Sequence, residues 1–479
     1  GRTRAVLIDK ENPNLIFAGG VAGGLWFSKD AGLTWGQTHP GDLAEVLTVN
    51  CIAQDDLGYI YYGTGEGVFY GVSGNAPGTR GYGYRGMGIY RSIEPHGTSF
   101  MHLESSWLGK ETKTVAVNAI SSDGLGNVYA GAKGKLYRTI NRGLDWSEVN
   151  YSNDIEILGD VYDVKAFSDG SVIMAMGNDY YLSPSGDANS FVKISNPGGV
   201  LTPASGRSVI AVAPSDENVV YISRSSSNSL FDGLFRSRDK GQTWERIIGG
   251  GSSIFEPYGG QGNYNQCLSV FPDNPNKILL GGIEIYEWEE GQNWKKMSRM
   301  FAGWGDHDYV HADIHTFVFH PDNPNQYYIG TDGGVFVTKN GGEIYQRLNR
   351  GFNVTQFYGL AFGSDGVVLG GTQDNSNIYI DFKGNTSQSG KIHNSGDGGY
   401  SAISQLMPNA FFLESQYGKI KRNNSRSDLY SEFFYHKDAE GFEYDGYWSE
   451  FVTPISLWES RHDSLVPDTV VYISNDNLL

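Results

Sequence analysis

The sequence predicts an all-β chain, a β-propeller of four-stranded antiparallel blades. Three observations carry that expectation. An eight-residue pattern recurs: Ser28–Trp35 reads S-K-D-A-G-L-T-W and Ser237–Trp244 reads S-R-D-K-G-Q-T-W. Weaker copies occupy Thr139–Trp146, Glu287–Trp294 and Thr338–Tyr345. The closing aromatics Trp244, Trp294 and Tyr345 stand 50 and 51 residues apart, while the earlier gaps, Trp35 to Trp146 and Trp146 to Trp244, are 111 and 98, near two such periods. A period of about 40–50 residues holding four short strands is the signature of propeller blades. Finally, 30 Tyr, 24 Phe and 10 Trp accompany 65 Gly, with no run spaced as an amphipathic helix, a texture of short strands and tight turns.

Each unit is phased on an Asn-Pro-Asn-type turn, a short apolar strand and the eight-residue turn. In the first unit the strands are Ala5–Ile8, Leu15–Ala18, Leu25–Ser28 and the one that Trp35 opens. Segments equivalent to Leu15–Ala18 follow at Tyr59–Tyr62, Val128–Ala130, Val172–Ala175, Val219–Ile222, Ile278–Leu280, Gln326–Ile329, Val367–Leu369 and Ala410–Leu413. Val470–Ile473 opens a further one that looks cut short. This predicts about nine to ten blades over residues 1–479, in one large propeller or two. In the turn itself, the Asp or Asn caps backbone N–H groups, the Gly takes a positive φ, and the aromatic starts the next strand and buries its ring between units.

A formal net charge of -18 and a pI near 5.0 argue against nucleic-acid or anionic-membrane partners, which call for clustered Lys and Arg. No apolar run approaches the ~20 residues of a membrane-spanning helix. Cys51 and Cys267 lie in distant repeats and read as buried thiols rather than a disulfide.

Propeller loops sort onto two faces. The eight-residue and Asn-Pro-Asn turns share one face and look structural. The other face collects the unusual polar residues: Glu66 in G-T-G-E-G, Asp332 in T-D-G-G, Gln373 and Asp374 in G-T-Q-D-N, Asp397 in G-D-G-G-Y, and the run D-H-D-Y-V-H-A-D-I-H at 306–315. Four independent loops thereby deliver carboxylates to one face. His311, Asp313 and His315 alternate, so an extended strand would put them on one side. There they suit either a divalent metal or a hydrogen-bonded network. No other cofactor motif is present. Glu66, Asp313, Asp332 and Asp374 could supply the two carboxyls of a glycosidase. Tyr70, Tyr82, Tyr84, Trp304 and Tyr309 lie in loops of the same face and could stack on sugar rings.

The S-x-D-x-G-x-T-W turns resemble those of the Asp-box, or bacterial neuraminidase repeat, superfamily. That superfamily includes sialidases, sortilin-type receptors with a ten-bladed propeller, and xyloglucanases of glycoside hydrolase family 74. The N-P-N turns, H-A-D-x-H at His311–His315, G-T-Q-D-N at Gly371–Asn375 and S-Q-Y-G at Ser415–Gly418 look like large secreted Asp-box proteins exported by the type IX system. The resemblance implies an extracellular or cell-surface bacterial location. The chain departs from sialidases in lacking the R-I-P motif, and Arg2 and Arg4 sit in a different context from their arginine triad. It departs from family 74 in carrying Val21, in Gly20-Val21-Ala22-Gly23-Gly24, where a catalytic Asp would fall.

The expected function is a secreted or cell-surface propeller that binds a glycan or protein through Glu66, His311, Asp313, His315, Asp332, Gln373, Asp374 and Asp397. A family-74-like glycoside hydrolase and a component of a surface assembly are the alternatives.

Overall fold

The structure, a computed structural model, describes all residues except 40–43, 68–83, 107–115, 133, 150, 153–154, 157–158, 195–199, 251–254, 304, 382–390, 393–395, 408, 424–431, 435–449, 460–469 and 474–479. Two compact units divide it, Arg2–Val354 and Thr355–Leu479, with Gly1 grouped with the second.

In the first unit, seven four-stranded antiparallel sheets follow one another, each a meander in chain order. Their first strands are Thr3–Ile8, Val49–Gln54, Val117–Ser122, Val161–Ala166, Ser208–Val212, Cys267–Phe271 and Ile314–His320. Each lies beside the first strand of the next sheet, and the seventh returns to the first. They enclose a channel of about 620 Å³. The second unit holds two further four-stranded sheets, over 357–392 and 398–434, and a two-stranded pair, Ile455–Trp458 with Val470–Ile473. All nine segments expected as second strands lie in the second strand of a four-stranded sheet or overlap it.

The apolar cores lie between neighbouring sheets. Tyr129, Val164, Met174 and Phe191 join the third and fourth sheets; Phe231, Tyr258, Ile278 and Trp288 join the fifth and sixth. Burying each such side chain contributes roughly 1.5–3 kcal/mol. Second strands are covered on both faces, so Val172–Met176 is buried throughout and reads as a continuous apolar run. Where one sheet's second strand meets the next sheet's first strand, a glycine allows the approach. A Cβ on Gly63 would stand 2.6 Å from Val117 Cγ1 and 2.7 Å from Cys51 Sγ. Ring closure uses the same materials. Val6, Ala18 and Trp26 share a core with Tyr328, Val335 and Phe352, and Trp35 Nε1 donates to the Leu348 carbonyl at 2.6 Å.

The eight-residue turns close on their own side chains. Ser28 Oγ accepts from Gly32 N at 2.7 Å and donates to Asp30 Oδ1 at 2.7 Å. Asp30 in turn accepts from Thr34 N at 2.8 Å and from its hydroxyl at 2.6 Å. Ser237, Asp239, Gly241 and Thr243 repeat this set. The expected positive φ falls on Gly32, at +91°, but also on Ala31 before it, at +58°, and likewise on Lys240 and Arg142. Two successive left-handed residues are what turn the chain so tightly. The aromatic reaches the preceding sheet: Trp146 packs with Tyr61 and Leu103, and Trp244 beside Ile173 and Phe167.

One expectation shifts. Asn12-Pro13-Asn14 is a turn, but Asn274-Pro275-Asn276 and Asn323-Pro324-Asn325 open second strands, Asn274–Gly281 and Asn323–Thr331. The bends lie just before them, at residues 272–273 and 321–322. Proline is tolerated near a strand's start, where no ladder donor is needed. In all three the first Asn side chain accepts from the N–H two residues on.

Cys51 and Cys267 are free thiols. Among the described residues no helix is long and apolar enough to cross a membrane.

Candidate functional site

Five of the seven first strands in residues 2–354 carry a β-bulge near their start. Arg4, Asn50, Asn118, Tyr162 and His315 are each the extra residue, skipped by the ladder to the second strand. A bulge re-aims its side chain, and all five line the channel. Four ionisable or amide side chains and a tyrosine thus reach this wall.

At one end of this wall a buried ionic cluster forms. Arg4 comes from the first strand, Arg2 stands just before it, and Glu66 comes from the loop after Ile60–Thr64. Tyr264 and Asn265 belong to the short helical turn Gly262–Asn265. Asp313 and His315 stand at the start of the seventh sheet, and Asp332 follows Asn323–Thr331. Glu66 Oε2 lies 3.0 Å from Arg2 Nη1, and its Oε1 lies 2.5 Å from Arg4 Nε. Asp332 Oδ1 lies 2.8 Å from His315 Nε2 and 3.5 Å from Arg2 Nε, and its Oδ2 accepts from the Tyr264 hydroxyl. The Tyr264 ring lies beneath both guanidinium carbons, at 5.0 Å from Arg2 and 4.9 Å from Arg4, and meets His315 edge-on at 5.1 Å. Glu66 and Asp332 are each 1% exposed.

These surroundings set the protonation states. Burial opposes ionisation of Glu66, but the Arg4 and Arg2 charges outweigh it and hold the carboxyl below its usual range. Burial also opposes ionisation of Asp332; contacts with His315, Arg2 and Tyr264 hold it well below that range. Burial, reinforced by Arg4, pulls His315 down to about 4. His315 is therefore neutral at pH 7, with its Nε2 hydrogen donated to Asp332 and Nδ1 left as an acceptor. Asp313 moves the opposite way. Burial and the Asp332 charge raise it to about 7, opposed by the Asn265 hydrogen bond at 2.8 Å and by Arg2 and Arg4. Two carboxyls of one cluster are thus driven to opposite states, the pattern that separates a proton donor from a fixed anion.

The expected constellation draws on both units. Glu66, Asp313, His315 and Asp332 come together in residues 2–354. Gln373, Asp374 and Asp397 lie in the second unit, with their own partners. Asp397 Oδ1 accepts from Asp374 N at 2.8 Å and its Oδ2 from Gln416 Nε2 at 2.9 Å. Beside them Glu414, fully buried, accepts from the N–H groups of Tyr400 and Thr453, and burial raises it to about 7.

The alternation expected of His311, Asp313 and His315 is also corrected. The strand begins only at Ile314, and Asp313 has φ +64°, so the three do not share one side of a strand. His311 Nδ1 lies 3.1 Å from the Ala312 carbonyl oxygen, and His311 packs at Gly333, where a Cβ would come within 2.4 Å of it. Among the described residues no three His, Cys, Asp or Glu side chains are gathered as a metal would need. Tyr84 is exposed and Tyr309 buried; Tyr70, Tyr82 and Trp304 lie outside the described residues.

Arg2, Arg4, Tyr264 and Asn265 were missed by sequence reasoning. Arg4 alone had an alignable signal: T-R-A-V, V-N-C-I, V-N-A-I, V-Y-D-V and I-H-T-F each place a bulged residue second.

No family model matches the chain, and no curated protein matches it. Solved structures do. An ancestral GH74 enzyme superposes with a TM-score of 0.63 at 16% identity, over 92% of this chain and 63% of that one. The GH74 xyloglucanase from Xanthomonas campestris superposes with a TM-score of 0.56 at 14% identity, over 91% and 74%. The chain therefore spans less than two thirds of the first enzyme's length. At these identities the likeness shows the β-propeller fold.

Proposed function

We propose that this chain is a glycan-binding propeller whose ligand contacts the cluster of Arg2, Arg4, Glu66, Tyr264, Asp313, His315 and Asp332. One observation carries the reading. Five separate segments converge there with charges nearly balanced, Arg2 and Arg4 against Glu66 and Asp332, beside half-buried Tyr264 and Asp313. Mixed donors and acceptors of low net charge suit hydroxyl groups, which both donate and accept, and a tyrosine ring suits the apolar face of a sugar. Titration calorimetry against a panel of oligosaccharides tests it. Binding that Tyr264→Ala weakens supports the proposal; a panel that gives no heat at millimolar ligand sinks it.

A hydrolytic reading is favoured by a separate observation, the opposed states of Asp313 and Asp332. Asp313 would be the proton donor and Asp332 the fixed anion. Release of reducing ends from a polysaccharide, lost in Asp313→Asn, would support it. Unchanged release in that variant would exclude Asp313 from the chemistry.

The finer assignments belong to the same proposal. We read residues 2–354 as one seven-bladed Asp-box propeller and 355–479 as blades of a second. The Ser28–Asp30 and Ser237–Asp239 turn hydrogen bonds support that reading. We place the protein outside the cell or on its surface, exported by the type IX route. Fractionation of the source cells tests this, and a purely cytoplasmic pool would overturn it.

A further inference from the structure

Arg207 stands immediately before the first strand of the fifth sheet and lines the 620 Å³ channel. Its contacts are neutral. Arg207 Nη1 donates to the Tyr264 carbonyl at 3.2 Å, and its backbone N–H donates to Asn263 Oδ1 at 3.0 Å. Its Nε has no hydrogen-bond partner. Among the described residues no carboxylate lies within ion-pair distance of it, whereas Arg2, Arg4 and Lys165 each have one. Arg207 is half-buried and faces an open cavity, and a cation drawn partly out of water favours a counter-ion.

The same wall carries acceptors with nothing to accept. Gln266, 1% exposed, spends its Nε2 on the Arg207 carbonyl at 2.8 Å, and its Oε1 is unpartnered. His315 Nδ1, the lone-pair nitrogen, is unpartnered too. Both residues line the channel with Arg207. One anion and a few hydroxyl donors would satisfy all three groups at once.

We infer that the channel of residues 2–354 binds an acidic, hydroxyl-bearing sugar unit, its anionic group on Arg207 and its hydroxyls on Gln266 and His315. Arg207's own chemistry agrees: burial and the neighbouring Arg4 charge pull its pKa down to about 10, and the Asp163 charge opposes them only in part. The sugar part rests on the glycan reading above; the anion part rests on Arg207 alone.

The test is calorimetric titration of the full chain with glucuronate-containing oligosaccharides, their neutral glucose counterparts and inorganic sulfate. The uronate ligand should bind at least about tenfold more tightly than the neutral one, the order expected of one charge-assisted hydrogen-bonding group. Arg207→Gln should abolish that preference, and Arg207→Lys should restore part of it. Thermal unfolding of both variants shows that each is folded. Equal affinity for charged and neutral sugars, unchanged in Arg207→Gln, overturns the anion site while leaving the glycan reading intact. Sulfate binding that depends on Arg207, with no sugar bound, overturns the sugar assignment. No binding of any probe overturns both.

Discussion

Replacing Glu66 by Gln tests the cluster most directly. The carboxylate is 1% exposed and serves two guanidiniums, Arg2 Nη1 at 3.0 and 3.3 Å and Arg4 Nε at 2.5 Å. Glu66→Gln keeps the shape and one acceptor oxygen but leaves Arg4 without its carboxylate and Arg2 with only the longer contact to Asp332 at 3.5 Å. Removing one partner of a buried ion pair costs about 3–5 kcal/mol. Unfolding entropy of about 2.1 cal/mol/K per residue amounts to about 0.7 kcal/mol/K for Arg2–Val354. The calorimetric midpoint of that unit should therefore fall by about 4–7 °C. The exposed substitution Glu343→Gln is the control, expected within about 1 °C. The difference should also depend on pH in a defined direction. A carboxyl held below its ordinary value contributes stability that is present above that value and lost as pH falls through the folded one. The difference should thus begin to shrink as pH falls below about 4 and vanish only once the folded carboxyl is protonated. A Glu66→Gln midpoint within about 1 °C of the control at pH 7 would refute the buried triad and the site built on it.

Four more outcomes follow from single features. Gly32→Ala puts a Cβ 2.6 Å from Leu348 Cδ1 at φ +91°; urea unfolding should show a loss of about 1–3 kcal/mol. Gly291→Ala, also at positive φ but facing open space, should cost only the backbone term of about 1 kcal/mol. His315, lowered from 6.5 to about 4, binds its proton more readily unfolded. It therefore makes stability rise with pH between those values, and His315→Gln should flatten that rise in a pH series of unfolding midpoints. Asp313, raised from 3.8 to about 7, binds its proton more readily folded, so it makes stability fall as pH rises across that window. Asp313→Asn should be more stable than the parent at pH 8 and no more stable at pH 3.

The repeating fold was legible because its signals are local. The turn S-x-D-x-G-x-T-W binds itself through Ser28, Asp30 and Thr34, so its chemistry is contained in eight residues and survives in any context. The doubly buried second strands announce themselves as apolar runs such as Val172–Ala175. What the sequence could not show was where the sheets change from one compact unit to another. No linker composition marks Val354, because the junction continues the same turn-and-strand grammar. Gln373, Asp374 and Asp397 belong to the unit after Val354, a boundary that no sequence signal announced.

The site was half legible, and the division has a physical cause. Glu66 and Asp332 sit in Gly-rich loops after second strands, where a carboxylate departs from the local pattern and draws notice. Arg2, Arg4 and Arg207 stand at the starts of first strands, where a polar residue ahead of an apolar run looks like ordinary alternation. The bulge changes that meaning. In Thr3–Ile8, Arg4 is skipped by the ladder between Thr3 and Ala5, so its guanidinium enters the channel and finds Glu66, more than sixty residues away. The same displacement places His315, whose Nε2 then meets Asp332 rather than an alternating His311. A strand-period argument assigns faces only while the ladder is regular. In residues 2–354 the ladder breaks near the start of the first strand in five sheets of seven, so regular alternation misplaces Arg4 and His315, two of the residues that build the site.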